Sequence, residues 1–225
     1  DLSPQLFERE LPATGEVVSG ADDLPERFES WMVKFASRED PSDAGAVELA
    51  YSRMAGAAGI DLPATRLFET DRGDRFFGVR RFDRAANRRS HVHTFGNLIH
   101  SDFRVPSADY ADLLRATSVL TRRHPDVLRA FRRMAFNVLA HNRDDHVKNF
   151  AFVLDGATGA WTLSPAYDLT FSTGPGGEHS MTVAGEAVAP GPSRMMVLAS
   201  AAGVSDRDAR GILDEVRDAV ARWRD

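Results

Sequence analysis

A helical apolar pattern running from 126 to 140 breaks into the polar decapeptide His141–Phe150, HNRDDHVKNF, and apolar character resumes at once in Ala151–Leu154. Leu128, Phe131, Met134, Ala135, Val138 and Leu139 recur at the spacing of one helical face, and Pro125 and Asp126 open it. Asp155–Gly159 reads as a turn and Trp161–Leu163 as a returning strand, so a hairpin follows the polar loop. Pro165-Ala166-Tyr167-Asp168-Leu169 then brings a further carboxylate to the hairpin base. Helix, polar loop, hairpin and acid in this order constrain the chain more than any composition figure does.

The loop concentrates chemistry. A carboxylate can position an attacking hydroxyl and accept its proton. An asparagine oxygen and a second carboxylate suit a hard divalent cation, and a lysine can neutralise charge on a transferring phosphoryl group. Phosphoryl transfer needs this set and little covalent chemistry besides. Asp144 and Asn149 have the D-x-x-x-x-N separation that kinase catalytic loops use, and Asp145 does not. Taken singly, each of these residues reads equally well as a cap on local backbone groups. The ordered context gives the set its weight.

Lysine usage sharpens the reading. The chain has only two lysines, Lys34 and Lys148, and arginine supplies the other basic side chains. An ammonium is a compact point charge that arginine replaces poorly in a tight phosphate site. Lys34 lies in the apolar run WMVKF, where it needs a partner or a route to water. Glu48, on the helix expected over 43–58, is its natural partner, and strand lysine with helix glutamate is a kinase device for anchoring ATP phosphates. An edge-strand lysine facing water is the plainer alternative.

Around these sites the chain divides. Residues 1–30 read as irregular, punctuated by Pro4, Pro12, Gly15, Gly20 and Pro25. From 28 to 84 the order is strand, helix, strand, strand, with Val47, Ala50, Tyr51, Met54 and Ala58 on one helical face and Gly59 as its stop. Residues 85–105 read as loop, and Ser107 as the cap of a helix carrying Tyr110, Leu113, Leu114, Thr117 and Leu120. Ser205 and Asp208 have capping-box spacing for a closing helix that places Ile212, Val216, Val220 and Trp223 on one face. The expected fold is α+β with two lobes, a small mixed lobe over 1–84 and a mainly helical lobe over 85–225.

Several classes fall away. With 225 residues and 43% hydrophobic content the chain can bury one large core or two small ones. The absence of cysteine excludes disulfides and thiolate metal sites. No apolar run reaches the roughly 18 residues of a membrane span, and no signal-peptide pattern opens the chain, so the expected location is cytoplasmic. A net charge of −5 argues against a dedicated nucleic-acid binder, and the clusters Arg80, Arg81, Arg84 and Arg88, Arg89 read as solvated surface. His91, His93 and His100 match no compact zinc motif, and no G-x-S-x-G elbow is present. His141 and His146 fit hydrogen-bonding roles in the loop better than metal ligation.

These segments resemble the catalytic region of HipA-type serine/threonine kinases, the toxin components of toxin–antitoxin systems. WMVKF, the helix with Glu48, RRFDR, FNVLAHNRDDHVKNFAF, WTLSPAYDLTFS and GEHSMTVAGE carry the resemblance, from about Trp31 onward. The resemblance implies a protein-kinase-like two-lobe fold with ATP and Mg²⁺ as cofactors. It assigns Asp144 as the catalytic acid–base group, with His146 and Lys148 in the catalytic-loop signature. Asn149 and Asp168 become magnesium ligands and Lys34, with Glu48, the ATP-phosphate lysine. Arg80 and Phe82 fall at the linker, where such kinases contact adenine largely through the backbone. The resemblance further implies a protein substrate, of which an aminoacyl-tRNA synthetase is the family example, and a small DNA-binding antitoxin through which DNA contact would be indirect. Two features depart from the family: the region before the lysine strand is short, and only Gly15, Ser19 and Gly20 stand where a Gly-rich phosphate loop is expected. Either the chain is a fragment or processed form, or it holds ATP more loosely than the family does. A small-molecule phosphotransferase, or an inactive nucleotide-binding module acting through partners, would share most of these residues.

Overall fold

The computed structural model describes residues 5–11, 16–19, 28–35, 41, 43–70, 72–85, 87–101 and 108–222. Strands β1 (Gln5–Leu11), β2 (Glu16–Ser19) and β3 (Glu29–Lys34) are followed by helix α1 (Ala44–Ala57) and strands β4 (Thr65–Glu69) and β5 (Arg75–Arg80). The five strands form one antiparallel sheet in the order β2-β1-β3-β5-β4. The irregular reading of residues 1–30 is thus corrected: β1 and β2 acquire their structure by pairing with and beside β3, not from a strand pattern of their own.

The register of β3 decides where Lys34 stands. It pairs with Gln5 on one side and Phe77 on the other, so it is central and not on an edge. Along β3 Trp31 and Val33 are buried on one face, while Met32 and Lys34 alternate onto the other. Trp31 meets Phe68 edge-on with ring centroids 5.5 Å apart, and the Arg66 guanidinium lies 4.1 Å from the centre of the Phe68 ring. Gly78 of β5 is required by this packing, because a Cβ there would come within 2.2 Å of the Phe68 ring.

After β5 come the short pair β6 (Arg84–Ala85) and β7 (Arg88–Arg89), strand β8 (His91–Thr94) and a single helical turn α2 (Phe95–Leu98). The loop expected over 85–105 is therefore partly strand, because β8 finds a partner 60 residues on in β9 (Ala151–Leu154), with His93 opposite Phe152. Strand β10 (Trp161–Leu163) completes a three-stranded sheet. His91 stacks at 6.1 Å on His93 and meets Trp161 edge-on.

Helices α3 (Tyr110–Thr121), α4 (His124–Leu139), α5 (Pro192–Ala201) and α6 (Asp206–Ala221) build the rest. Ser107 and Trp223 lie outside the described residues, as do Gly15 and Gly20. The cap of α3 is Asp109, whose side chain accepts from the Ala111 amide while Asp112 returns a bond to the Asp109 amide. Ser205 caps α6 through the Asp208 amide as its spacing predicts. Helix α4 is buried nearly all round, against α3, α6 and β10, with Phe131, Met134, Ala135 and Phe136 fully enclosed. Each large apolar side chain enclosed there contributes about 1.5–3 kcal/mol. This helix is the post on which the polar loop stands.

Candidate functional site

The loop leaves α4 through a defined corner. Tyr51 of α1 donates to the Ala140 carbonyl at 2.6 Å, which fixes the end of α4 against the sheet-bearing part of the chain. His141 takes a left-handed φ of 55° and turns the chain. Asn142 and Ser172 form a parallel bridge, so the loop runs beside the segment that follows Asp168. Beyond Asp144–His146 a short 3-10 turn, Val147–Asn149, leads into β9. Val147 packs so closely on Gly96 that a Cβ there would lie 2.8 Å from its methyl group.

Asp168 is delivered by a second, charged strap. Arg133 is buried in α4 and donates to the Ser164 carbonyl, while Arg129 donates to the Leu163 carbonyl at 3.1 Å and to Asp126 at 3.0 Å. The Ala166 amide donates to the Asp61 carbonyl at 2.8 Å. Asp168 itself sits at φ 59°, a left-handed conformation that Asp tolerates better than most side chains. Such backbone persists only where the surroundings impose it, and it clusters at functional sites.

The two straps and the sheet bring the site together. Lys34 Nζ donates to Glu48 Oε2 at 2.7 Å and also to Asp168 Oδ1. The Lys34 side chain is only 10% exposed, whereas that of Asp168 is 38% exposed. Burial alone would lower the Lys34 pKa, but Asp168 and Glu48 outweigh it and hold the ammonium charged well above its usual range. Burial would raise Asp168, yet the Lys34 charge and hydrogen bond keep its carboxyl below the ordinary value. Asp144 behaves oppositely. Burial pushes its carboxyl up, Asp168 and Asp145 add to the rise, and His146, with Nε2 4.0 Å from Asp144 Oδ1, opposes it. Two carboxylates in one cleft thus have pKa values driven apart, which suits one for proton transfer and the other for holding positive charge.

Asn149 donates its Nδ2 to the Asp144 carbonyl at 2.8 Å, so the amide oxygen is turned away and available as a ligand. Its amide oxygen and the Asp168 carboxylate are hard oxygen donors of the type that suits Mg²⁺. Among the described residues no group of three or more His, Asp or Glu side chains gathers into a dedicated metal cage. Lys148 is exposed on the 3-10 turn, and its carbonyl accepts the Tyr167 hydroxyl at 2.7 Å. Phe82 stacks on the Tyr167 ring at 5.8 Å and 27° and so borders the Asp168 segment. Arg80 stands apart from the carboxylates: its side chain pairs with Glu29 at 3.0 Å and its amide donates to Ala64.

The sequence reading passed over the inner side of the loop. Asp145 is fully buried and accepts from the Tyr110 hydroxyl at 2.7 Å, from His179 Nδ1 at 2.9 Å and from the Ser180 amide at 2.9 Å. Tyr110 in turn accepts from Asn137, and Asn137 from Asn142. Burial and the Asp145 charge push the Tyr110 phenol well above its ordinary pKa, which keeps it a donor. The only available signal was the doubled acid Asp144-Asp145, since Tyr110 and Asn137 look like ordinary positions of apolar helices.

Comparison with known proteins gives the family and the fold. Residues 11–223 match the model of the HipA-like C-terminal domain. "Putative kinase Y4dM" of Sinorhizobium fredii is 29% identical over 215 residues, covering 87% of this chain and 51% of that protein. The chain therefore spans about half the length of this curated relative. Among solved structures, HipA of Shewanella oneidensis MR-1, determined with HipB and operator DNA, superposes with a TM-score of 0.75 at 16% identity, over 99% of this chain and 57% of that one. The Helicobacter pylori proinflammatory kinase CtkA superposes with a TM-score of 0.56 at 12% identity, over 87% of this chain and 86% of that one. Both share the kinase-like fold. On the family match across nearly the whole chain, the protein belongs to the HipA-like C-terminal domain family.

Proposed function

We propose that this chain is the kinase part of a HipA-like protein and transfers the terminal phosphoryl group of ATP, with Mg²⁺, to a serine or threonine hydroxyl of a protein substrate. The observation that carries the reading is that Lys34 joins Glu48 to Asp168 while Asp168 lies close enough to Asp144 to raise its carboxyl, with Asn149 bonded to the Asp144 carbonyl. In this reading residues 1–84 form the small lobe and 85–225 the helical lobe. Lys34, held charged by its two carboxylate partners, sets against the early phosphates. Phe82 and the linker backbone near Arg80 border the adenine. Asp144 takes the proton of the acceptor hydroxyl as its oxygen bonds to the terminal phosphorus and the bond to the ADP oxygen breaks. His146 tempers the Asp144 carboxyl, and Lys148 lies at the loop exit to meet the transferred charge. Asn149 Oδ1 and Asp168 would hold Mg²⁺, whose contribution is to neutralise phosphate charge.

The partner reading follows from the relatives. A small DNA-binding antitoxin is the proposed partner, on the precedent of the Shewanella HipA complex with HipB and operator DNA, and any DNA contact would pass through it. An aminoacyl-tRNA synthetase is the first substrate to try. No described helix is long and apolar enough to cross a membrane, and the proposed location is the cytoplasm. Calorimetric titration with ATP, with and without Mg²⁺, tests the site. Magnesium-dependent binding that disappears in Asp168→Ala, together with phosphoryl transfer that disappears in Asp144→Ala, is the expected result. Absence of nucleotide binding by the parent chain would refute it.

A further inference from the structure

Asp144 is the middle residue of a tripeptide whose two neighbours are both fastened to one other segment. On one side, the Arg143 amide donates to the Ser172 carbonyl at 3.4 Å, and the Arg143 carbonyl accepts from the Ser180 amide at 3.2 Å and the Ser180 hydroxyl at 3.0 Å. On the other, Asp145 Oδ1 accepts from the same Ser180 amide and Oδ2 from His179 and Tyr110. The approach is close enough to demand glycine at 174: φ there is +70°, and a Cβ would lie 2.0 Å from the Glu178 carbonyl oxygen and 2.8 Å from Arg143 Cβ. The far end of the segment is fixed independently, since Thr182 and the Gly185 amide both donate to Asp109 at the cap of α3.

Stability does not account for this arrangement. Asp145 is 0% exposed and His179 is 3% exposed. Enclosing a carboxylate among neutral donors carries a desolvation penalty that an apolar side chain of the same size would not incur. What a satisfied buried polar network confers is a single geometry. The tyrosine hydroxyl accepts from Asn137 and the serine amide can only donate, so all its partners aim donors at Asp145. With a carboxylate opposite it, His179 Nδ1 is the protonated nitrogen.

We propose that Asp145 and His179 are positioning residues, a buried latch that fixes the Asp144 carboxylate against segment 172–186 and so sets the alignment for phosphoryl transfer. This rests on the kinase reading above, but the latch itself is a structural statement and can be judged separately. The bonds of Asp145 run to Tyr110, His179 and Ser180, whereas those of Lys34 run to Glu48 and Asp168.

The test uses the whole chain with ATP·Mg²⁺ and dephosphorylated casein as probe acceptor, on the variants Asp145→Asn, His179→Ala and His179→Asn. Asp145→Asn turns an amide donor toward donors; displacement of Asp144 by about 1 Å should lower the transfer rate about 100-fold. His179→Ala removes one donor of three and gives a smaller loss. His179→Asn, whose Nδ2 can stand where Nδ1 stood, recovers most of it. Calorimetric affinity for ATP·Mg²⁺ stays at the parent value in all three. Hydrogen exchange gives the second readout: amides of 179–183 lose protection in His179→Ala and regain it in His179→Asn, while those of α4 are unchanged. Full transfer rate and unchanged exchange in His179→Ala would overturn the latch. So would a uniform loss of protection through α3 and α4, which would mark a core residue only. If the parent transfers no phosphate, the kinase reading fails on that acceptor, and the exchange pattern alone still decides the latch.

Discussion

The sheet with α1 and the helical part meet at one cleft, yet they hold their functional groups in different ways. On the sheet side one ammonium carries the charged groups of the site: Lys34 is bonded to Glu48 and to Asp168, while α1 joins the helical core through Tyr51, Met54 and Ala55. On the helical side the groups sit on a continuous core and are tied by many bonds, from the Arg133 and Arg129 straps to the Asp145 network. A point contact can be broken by one substitution without unfolding anything. A distributed mounting yields only when its core is opened. The two mountings should therefore differ in mutational tests, the ammonium in function and the core in stability.

The largest expected effects are on chemistry. Asp144→Ala should lower phosphoryl transfer by about 10²–10⁴-fold while leaving ATP·Mg²⁺ affinity intact, because it removes proton transfer alone. Lys34→Met should cost about 10²–10³-fold in transfer and also weaken nucleotide binding, since it removes a charge that binds as well as stabilises. Initial rates beside calorimetry distinguish them. Equal loss of affinity in both variants would mean that the cleft does not divide its labour between its two walls.

Next come the cores. Phe131 is fully buried in α4, and Phe131→Ala should cost about 3–5 kcal/mol in urea unfolding. Val33 lies in the central strand of the sheet and is 3% exposed; Val33→Ala removes two methyl groups and should cost about 1.5–2 kcal/mol. Comparable losses, or a single shared transition for both, would show that the two parts unfold as one unit and would erase the contrast in stability.

What could be read in the sequence follows the same division. The helical part announced itself: α4 and α6 carry long apolar periods, Ser205 caps where its spacing says, and the hairpin β9–β10 is bounded by turn residues. Lys34 and Glu48 were legible as a pair because a lysine in an apolar strand needs a counter-charge, and the structure brings them to 2.7 Å. Strands β1 and β2 were not legible, since their order comes from hydrogen bonds to and beyond β3 and their neighbours are prolines and glycines. Strand β8 was hidden for the same reason: its partner lies 60 residues away, and HVHT has no local signal beyond Val92. Asp145 was invisible as a buried anchor because a loop has no period from which to read inside and outside. Arg80 was placed at the linker by resemblance, on its backbone, and its side chain pairs with Glu29.

The smallest effects separate the regions by sign, through two glycines. Gly78 lies in β5 under the Phe68 ring, and an added Cβ would stand 2.2 Å from a ring carbon. Phe68 is itself pressed between Trp31 and the Arg66 guanidinium, so it cannot swing aside freely. Gly78→Ala should therefore destabilise by about 1–3 kcal/mol through overpacking. Gly211 lies within α6, has no positive φ, and an added Cβ would meet no atom within 4 Å. Gly211→Ala should stabilise by about 0.4–1 kcal/mol, because alanine loses less backbone freedom on entering a helix. Thermal unfolding of the two variants against the parent reads both signs in one experiment. Opposite shifts would show that the sheet is filled to its limit at Phe68 while the outer face of α6 has room to spare. A neutral Gly78→Ala would mean that Phe68 can move, and that the sheet face opposite Lys34 is softer than its cation–aromatic packing indicates.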